Sequence, residues 1–181
     1  MTTKIIIAGF GGQGIILTGK LLAYSAMIEN KEVTHIPSYG AEMRGGTAHC
    51  SVIISDEHIA SPVVSNPDIT LVFNQPSKSK FESRIKEKGK ILINNSLIEE
   101  KSKRDDIDVY FIDATNLADQ IGSVRSANMI MLGALSKITG IVKLETIINS
   151  LPEVISARNQ SLIEINEKAL KKGFELFKGN Y

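Results

Sequence analysis

Short apolar runs alternate with longer amphipathic stretches along this chain, and this order constrains the fold more than any other feature. The first run, Lys4–Ala8, is rich in β-branched residues and has no polar alternation, as expected of a strand covered on both faces. The stretch Ile15–Ile28 after it carries apolar residues at helical spacing. We therefore predict an α/β fold: a Rossmann-like, mostly parallel sheet with helices on both faces.

The same pattern predicts the remaining elements. Thr47–Ile54 follows the preceding strand without an intervening helix, so we expect it to lie antiparallel to a neighbour. Ser77 is expected to cap the helix after it, and Pro152 to break the chain after another helix. The predicted strands are Val33–Ile36, Thr47–Ile54, Ile69–Phe73, Ile91–Asn94 and Val109–Ile112, and the predicted helices are Ser77–Lys88, one from Ala114, Ala127–Thr139, Leu144–Ser150 and Asn159–Phe177.

Length and composition exclude several classes of protein. The 181 residues indicate one domain spanning 1–181. A single cysteine, Cys50, excludes an internal disulfide, a Cys₄ zinc site and an iron–sulfur cluster held by this chain alone. A net charge of +1 argues against nucleic-acid binding. The apolar run near the amino terminus is too short for a membrane span and is not a signal peptide, so we expect a cytoplasmic protein without a membrane partner.

A first glycine loop, Gly9-Phe10-Gly11-Gly12-Gln13-Gly14, has the spacing G-x-G-x-x-G between a predicted strand and a predicted helix. Its glycines allow main-chain N–H groups to approach an anion at the positive end of the helix. A dinucleotide site also needs an acidic residue at the end of the second strand, where this chain has His35, Pro37 and Ser38. Three interpretations stay open: a dinucleotide site, a site for another phosphate or carboxylate, and glycines that only allow close helix packing. Gln13 is also available to a partner subunit.

A second glycine-rich segment, Ser38–Gly46, is predicted to leave the carboxyl end of a strand. Open α/β sheets bind their ligands at that edge. Arg44 is suited to a carboxylate or phosphate ligand, and equally to an ion pair with Glu42 or with an acidic residue of a partner. Gly45 and Gly46 allow a positive φ or the close approach of another backbone.

Four segments together resemble the gamma subunit of 2-oxoacid:ferredoxin or flavodoxin oxidoreductases. The specific one is the string Tyr39-Gly-Ala-Glu-Met-Arg-Gly-Gly-Thr, and the loop Gly9–Gly14 accompanies it. Phe73–Ser77 and Ala127–Ala134 agree as well. The resemblance extends from about Lys4 to the last predicted helix. It is closest to the gamma subunit of the 2-oxoglutarate enzymes, and the gamma subunits of the pyruvate and ketoisovalerate enzymes are similar.

This resemblance implies an accessory subunit of a complex that oxidatively decarboxylates a 2-oxoacid with coenzyme A. The products would be acyl-CoA, CO₂ and reduced ferredoxin or flavodoxin. The resemblance also implies that alpha, beta and ferredoxin-like delta subunits carry thiamine diphosphate, Mg²⁺ and iron–sulfur clusters. We then expect this chain to bind none of these cofactors by itself, to contribute no catalytic or metal-ligating residue and to be inactive in isolation.

We expect the two glycine loops and the turn at Asn74-Gln75-Pro76 to converge at one edge of the sheet. There they would face the thiamine-binding subunits and contact the phosphates of coenzyme A. Two alternatives stay open, namely a stand-alone NAD(P)- or flavin-binding oxidoreductase and a purely structural interaction module. The candidate residues for this anion-binding or subunit-interface site are Gly11, Gly12, Gln13, Gly14, Tyr39, Glu42, Met43, Arg44, Gly45, Gly46, Asn74, Gln75 and Asn128.

Overall fold

A computed structural model describes residues 1–39 and 47–177 of the chain, which build one six-stranded sheet with helices packed against it. The strands are β1 Thr2–Phe10, β2 Glu32–Tyr39, β3 Thr47–Ser55, β4 Ile69–Val72, β5 Lys90–Asn94 and β6 Asp108–Ile112. The helices are α1 Ile15–Ile28, α2 Gln75–Phe81, α3 Ala114–Gln120, α4 Ala127–Thr139, α5 Leu144–Val154 and α6 Ile163–Glu175. Short 3₁₀ turns lie at Glu82–Arg84, Val124–Ser126 and Ala157–Leu162.

The order of the strands across the sheet is β2-β3-β1-β4-β5-β6. Strands β1, β4, β5 and β6 are parallel to one another, whereas β3 is antiparallel to both β1 and β2. The antiparallel prediction for this strand is therefore confirmed, and the sheet is mostly parallel as predicted. Strands β1, β2, β4, β5 and β6 all end at the same side of the sheet, which we call the carboxyl edge.

Alternating side chains of β1 show how the helices cover the two faces. Ile5 and Ile7 pack in the larger apolar core, which includes residues of α1, α3, α4, α5 and α6. Ile6 and Ala8 point the other way and pack with Phe81 of α2. The helices thus lie on both faces, as predicted, but α2 is the only α-helix of the described residues on the second face. Loop residues such as Val64 complete that layer.

Two helices have the predicted limits, and each has a glycine at one of its ends, Gly14 before α1 and Gly140 after α4. Helix α1 covers Ile15–Ile28, and α4 covers Ala127–Thr139. Gly140 ends α4 with a φ of 61°, a left-handed conformation that glycine adopts without steric cost. No helix in the described ranges is long and apolar enough to cross a bilayer.

The prediction for α2 was wrong at both ends. The cap is Asn74 rather than Ser77, because the Asn74 side chain accepts a hydrogen bond from the Ser77 N–H at 2.8 Å. Pro76, two residues after this cap, fits the first turn of a helix, because the N–H groups there have no partner within the helix. The helix ends at Phe81 and continues only as the 3₁₀ turn Glu82–Arg84, so the charged residues up to Lys88 are not helical.

Pro152 does not end α5 where the sequence suggested. The helix continues to Val154, so the proline lies in its last turn and removes only a hydrogen bond close to the end. Ile155 N–H still donates to Leu151 O at 2.9 Å. The Gln160 amide donates to the main-chain oxygens of Pro152 and Ile155 at 3.3 and 3.1 Å, which satisfies carbonyls that the helix end leaves free.

Candidate functional site

The first glycine loop turns the chain from β1 into α1 at the carboxyl edge. Gly12 and Gly14 have φ values of 97° and 73°, a left-handed backbone that favours glycine. Gly11 and Gly12 are exposed. The N–H groups of Gly11, Gly12 and Gly14 donate to no described residue. Together with the positive end of the 14-residue helix α1, these N–H groups are suited to an anion.

Gln13 holds this loop in place. Its Oε1 accepts a hydrogen bond from Phe10 N at 2.6 Å, and its Nε2 donates to Phe73 O at 3.3 Å, just after β4. A Cβ at Gly9 would lie 2.6 Å from that Oε1 and 2.9 Å from the Cβ of Phe73, so only glycine fits beneath the loop. Both ends of the Gln13 amide are used inside the chain, which makes it a positioning group rather than a ligand.

Asn128 connects α4 to the same loop. Its Nδ2 donates to Gly14 O at 3.3 Å and to Thr18 Oγ1 at 3.2 Å, and the side chain is buried. An Asn at the start of an apolar helix can either cap that helix or bond a neighbouring loop. The structure gives the second arrangement, since the cap position of α4 is Ser126. No local sequence pattern indicates Thr18 as the partner, because it lies 110 residues before Asn128.

The end of β4 lies beside the glycine loop. Asn74 is 4% exposed, and its Nδ2 is buried with no partner among the described residues. Gln75 is half-buried, and its amide donates to Ser79 Oγ at 3.3 Å and to Glu100. The two residues therefore border the loop but use their side chains mainly to fix α2 and the segment after β5.

The second glycine segment leaves the same edge next to the first. In the register of the sheet, Phe10 pairs with Thr47, and Tyr39 pairs with Ala48. The strand ends that hold the two loops are therefore neighbours. The candidate residues Glu42, Met43, Arg44, Gly45 and Gly46 and the side chain of Tyr39 lie outside the described residues.

The sheet order is unfavourable for a dinucleotide. In a dinucleotide-binding fold the second strand is adjacent to the first and carries the acidic residue that binds ribose. Here β3 separates β2 from β1, which places the end of β2 two strand spacings away, roughly 10 Å. That end carries Ser38 and Tyr39 rather than an acid.

His35, His49 and Cys50 form no hydrogen-bonded reactive group among the described residues, because the Cys50 thiol donates to Ile15 O and His35 Nε2 has no partner there. His35 faces α1 and His49 packs against Phe81 at 5.1 Å between ring centroids, so they lie on opposite faces. Burial lowers the pKa of both imidazoles. Cys50 is fully buried, and burial raises its pKa to about 12. The described residues contain no group of three or more His, Cys, Asp or Glu arranged to hold a metal ion.

One charged residue near the site was not singled out from the sequence. Lys78 of α2 is 1% exposed, and its Nζ lies 3.2 Å from Glu82 Oε2 and 3.9 Å from Glu100 Oε2. It also donates to Lys101 O at 3.2 Å. A lysine four residues before a glutamate on a charged helix is typical of a solvated ion pair. Only the fold shows that the segment after β5 covers it.

Comparisons with known proteins all point to one family of oxidoreductases. The chain matches the protein family described as pyruvate ferredoxin/flavodoxin oxidoreductase over residues 4–176. It is 38% identical to 2-oxoglutarate synthase subunit KorC of Methanocaldococcus jannaschii, over 98% of this chain and 95% of that one. It is 35% identical to ketoisovalerate oxidoreductase subunit VorA of Methanothermobacter marburgensis, but spans only 37% of that longer protein.

Two solved structures share the fold. The gamma subunit of a keto/oxoacid ferredoxin oxidoreductase from Geobacter sulfurreducens superposes with a TM-score of 0.82 at 30% identity, covering 96% of both chains. The 2-oxoglutarate:ferredoxin oxidoreductase of Magnetococcus marinus, solved with 2-oxoglutarate, coenzyme A and succinyl-CoA bound, superposes with a TM-score of 0.89 at 26% identity. In that second case 99% of this chain matches 32% of the larger one.

Proposed function

This chain belongs to the pyruvate ferredoxin/flavodoxin oxidoreductase family as a gamma-type subunit of an oxidoreductase complex, and we propose that the complex acts on 2-oxoglutarate. The observation that supports 2-oxoglutarate as the substrate is the near full-length match to a KorC subunit. The similarity to VorA supports only the broader class of 2-oxoacids, since this chain spans about a third of that protein. We further propose that the chain acts as a single domain and works in the cytoplasm.

The proposed reaction converts 2-oxoglutarate and coenzyme A to succinyl-CoA and CO₂ while ferredoxin or flavodoxin is reduced. Thiamine diphosphate with Mg²⁺ would supply the carbanion chemistry, and iron–sulfur clusters would carry the electrons, both on the alpha, beta and delta subunits. The composition of this chain supports that division, because Cys50 alone cannot hold a cluster that needs several thiolates. The isolated chain would therefore be inactive.

Within the complex, we propose that the first glycine loop receives a phosphate of coenzyme A. Three N–H groups that donate to no described residue, the left-handed glycines and the positive end of α1 support an anion site here. Gln13 and Asn128 would keep the loop in the open geometry that an anion needs. The Magnetococcus marinus enzyme was solved with coenzyme A bound, which is consistent with a coenzyme A role for this fold in the larger protein.

The second glycine segment is proposed to face the thiamine-binding subunits beside the first loop. Its support is the register of the sheet, because the strand ends at Phe10, Tyr39 and Thr47 are neighbours. Arg44 would there pair with a phosphate or with an acidic group of the partner.

Charge reversal at Arg44 tests this role in the reconstituted complex. We expect Arg44→Glu to weaken assembly or to raise the coenzyme A concentration needed for half-maximal rate. The control is Arg125→Glu, an exposed arginine with no ion pair among the described residues. Unchanged assembly together with unchanged coenzyme A dependence would contradict the proposed role.

The substrate is tested separately. The purified complex is given 2-oxoglutarate, pyruvate or 3-methyl-2-oxobutanoate, and ferredoxin reduction is followed. A clear preference for 2-oxoglutarate is expected. If pyruvate or the branched-chain acid reacts faster, the substrate assignment fails while the assignment as a gamma-type subunit stands. Activity of the chain without its partners would overturn the proposal that the other subunits hold the cofactors.

A further inference from the structure

A cavity of about 490 Å³ opens at the side of the sheet opposite to the carboxyl edge. The starts of β1, β4 and β5, the end of β3 and the end of α4 surround it. Its size lies in the range of pockets that hold small molecules, roughly 300–1,000 Å³. None of the candidate residues of the glycine loops lines it. It is therefore separate from the proposed coenzyme A site.

The cavity combines an apolar wall with a basic rim. The apolar residues are Ile54, Ile69, Ile138 and Ile141, and the cations are Lys31, Lys86, Lys88 and Lys90. The basic side chains outnumber the acidic ones along this lining, which are Asp56, Asp68 and Glu87.

Three of the four lysines are already neutralised by an acid. Lys31 pairs with Asp56, Lys86 with Asp68 at 2.6 Å, and Lys90 with Asp108 at 2.5 Å. Each of these pairs joins two separate parts of the chain, so they fix the shape of the rim. The fourth lysine, Lys88, forms no ion pair with any described residue.

The backbone of Lys88 has a conformation that is unfavourable for any residue other than glycine. Its φ of 61° is in the left-handed region, where an L-residue other than glycine is destabilised. A glycine would adopt this conformation without cost, and one follows directly at Gly89. Strained residues of this kind concentrate at functional sites. Lys88 thus brings a cation with no ion pair among the described residues to the lining of the cavity, in a backbone conformation that glycine adopts at lower cost.

We propose that this cavity binds a small carboxylate with a short apolar chain, whose anionic group pairs with Lys88 and whose chain packs against the isoleucines. The cation on the rim selects the charge of the ligand, and the apolar wall favours a hydrocarbon body over a bare inorganic ion. This inference does not depend on the reaction proposed for the complex.

The test uses the full chain labelled with ¹⁵N and three probes of equal length: hexanoate, hexan-1-ol and hexylammonium. Hexanoate is expected to shift the amide signals of Lys88, Gly89 and Gly140 in a saturable way. Hexanol is expected to bind more weakly, and hexylammonium to leave these signals unchanged. Inorganic phosphate, which lacks the apolar chain, is expected to cause no saturable shift. Equal effects of hexanoate and hexylammonium, or shifts outside the cavity only, would overturn the proposal.

Two variants separate the effect of the Lys88 charge on binding from any effect on folding. Lys88→Gly removes the cation and relieves the left-handed strain, so hexanoate binding should weaken by about tenfold while the urea midpoint stays the same or rises. Lys88→Arg should retain binding because it keeps the positive charge. The controls are Lys20→Gln, which removes an exposed cation that does not line the cavity, and Asn30→Gly, which relieves the same backbone conformation elsewhere. Unaltered hexanoate affinity in Lys88→Gly would refute the role of Lys88.

Discussion

The Gln13 side chain joins the first glycine loop to the end of a neighbouring strand, because its Nε2 donates to Phe73 O at 3.3 Å while its Oε1 accepts from Phe10 N. One side-chain amide thereby holds the loop to its own start at Phe10 and to the residue that follows β4. A carboxylate at this position accepts from Phe10 N equally well but cannot donate to Phe73 O. The substitution Gln13→Glu therefore breaks one of the two bonds and leaves the shape of the side chain unchanged.

We expect Gln13→Glu to lower the free energy of unfolding by about 1–3 kcal/mol, since two oxygens then face each other in a half-buried place. Urea unfolding of the purified chain measures this loss. In the complex, the same variant should raise the coenzyme A concentration needed for half-maximal rate. Gln120→Glu changes an exposed side chain in the same way and should leave both properties near the wild-type value. Equal stability of the two variants would contradict a fixing role for Gln13.

The contact between α4 and α6 depends on two glycines. A Cβ at Gly173 would lie 2.7 Å from the main-chain carbon of Ile130, and a Cβ at Gly133 would lie 2.9 Å from that of Leu170. Main-chain atoms of a helix cannot move aside as a flexible side chain does. We therefore expect Gly133→Ala and Gly173→Ala each to lower the free energy of unfolding by about 2 kcal/mol or more, despite the better helix propensity of alanine.

Urea unfolding again provides the measurement for these glycines. Lys168→Ala serves as the control on α6, because its ion pair with Glu164 is exposed and should contribute less than about 1 kcal/mol. A Gly173→Ala variant as stable as the wild type would contradict the close approach of α4 and α6.

Lys78 provides a third test, because it is a buried cation between acidic groups. Lys78→Met leaves the mostly buried Glu82 carboxylate without its partner, so we expect a loss of about 3 kcal/mol in the free energy of unfolding. The double variant Lys78→Met/Glu82→Leu removes both charges and should recover much of that loss. Lys80→Met on the exposed side of α2 is the control and should cost less than about 1 kcal/mol. A double variant no more stable than Lys78→Met would contradict an ion-pair role.

Local patterns were sufficient to predict most of the fold. The β-branched runs and the glycine that ends α4 act within a few residues, so the strands and the limits of α1 and α4 could be predicted from the sequence. The antiparallel β3 followed from the missing crossover helix. The cap of α2 was missed because Ser77 and Asn74 are both good cap residues, and only the backbone conformation decides between them.

The candidate site was predictable only in part, because most of its contacts join residues far apart in the chain. The glycine spacing indicated the loop, yet Gln13 meets Phe73 and Asn128 meets Thr18 only after folding. The burial of Lys78 likewise depends on a segment more than twenty residues later. No local pattern encodes such pairings.

Cys50 gives a final prediction, which concerns pH. Burial raises the pKa of its thiol from 9.0 to about 12, so at pH 8 only roughly one thiol in ten thousand would be ionised in the folded chain. Iodoacetamide should therefore fail to label the native protein at pH 8 and label it rapidly in concentrated urea. Because the folded pKa is the higher one, the stabilisation is complete below pH 9 and is lost as the pH rises towards 12. Cys50→Ala should show a smaller loss of stability over this pH range than the wild type, and rapid native labelling at pH 8 would contradict the buried thiol.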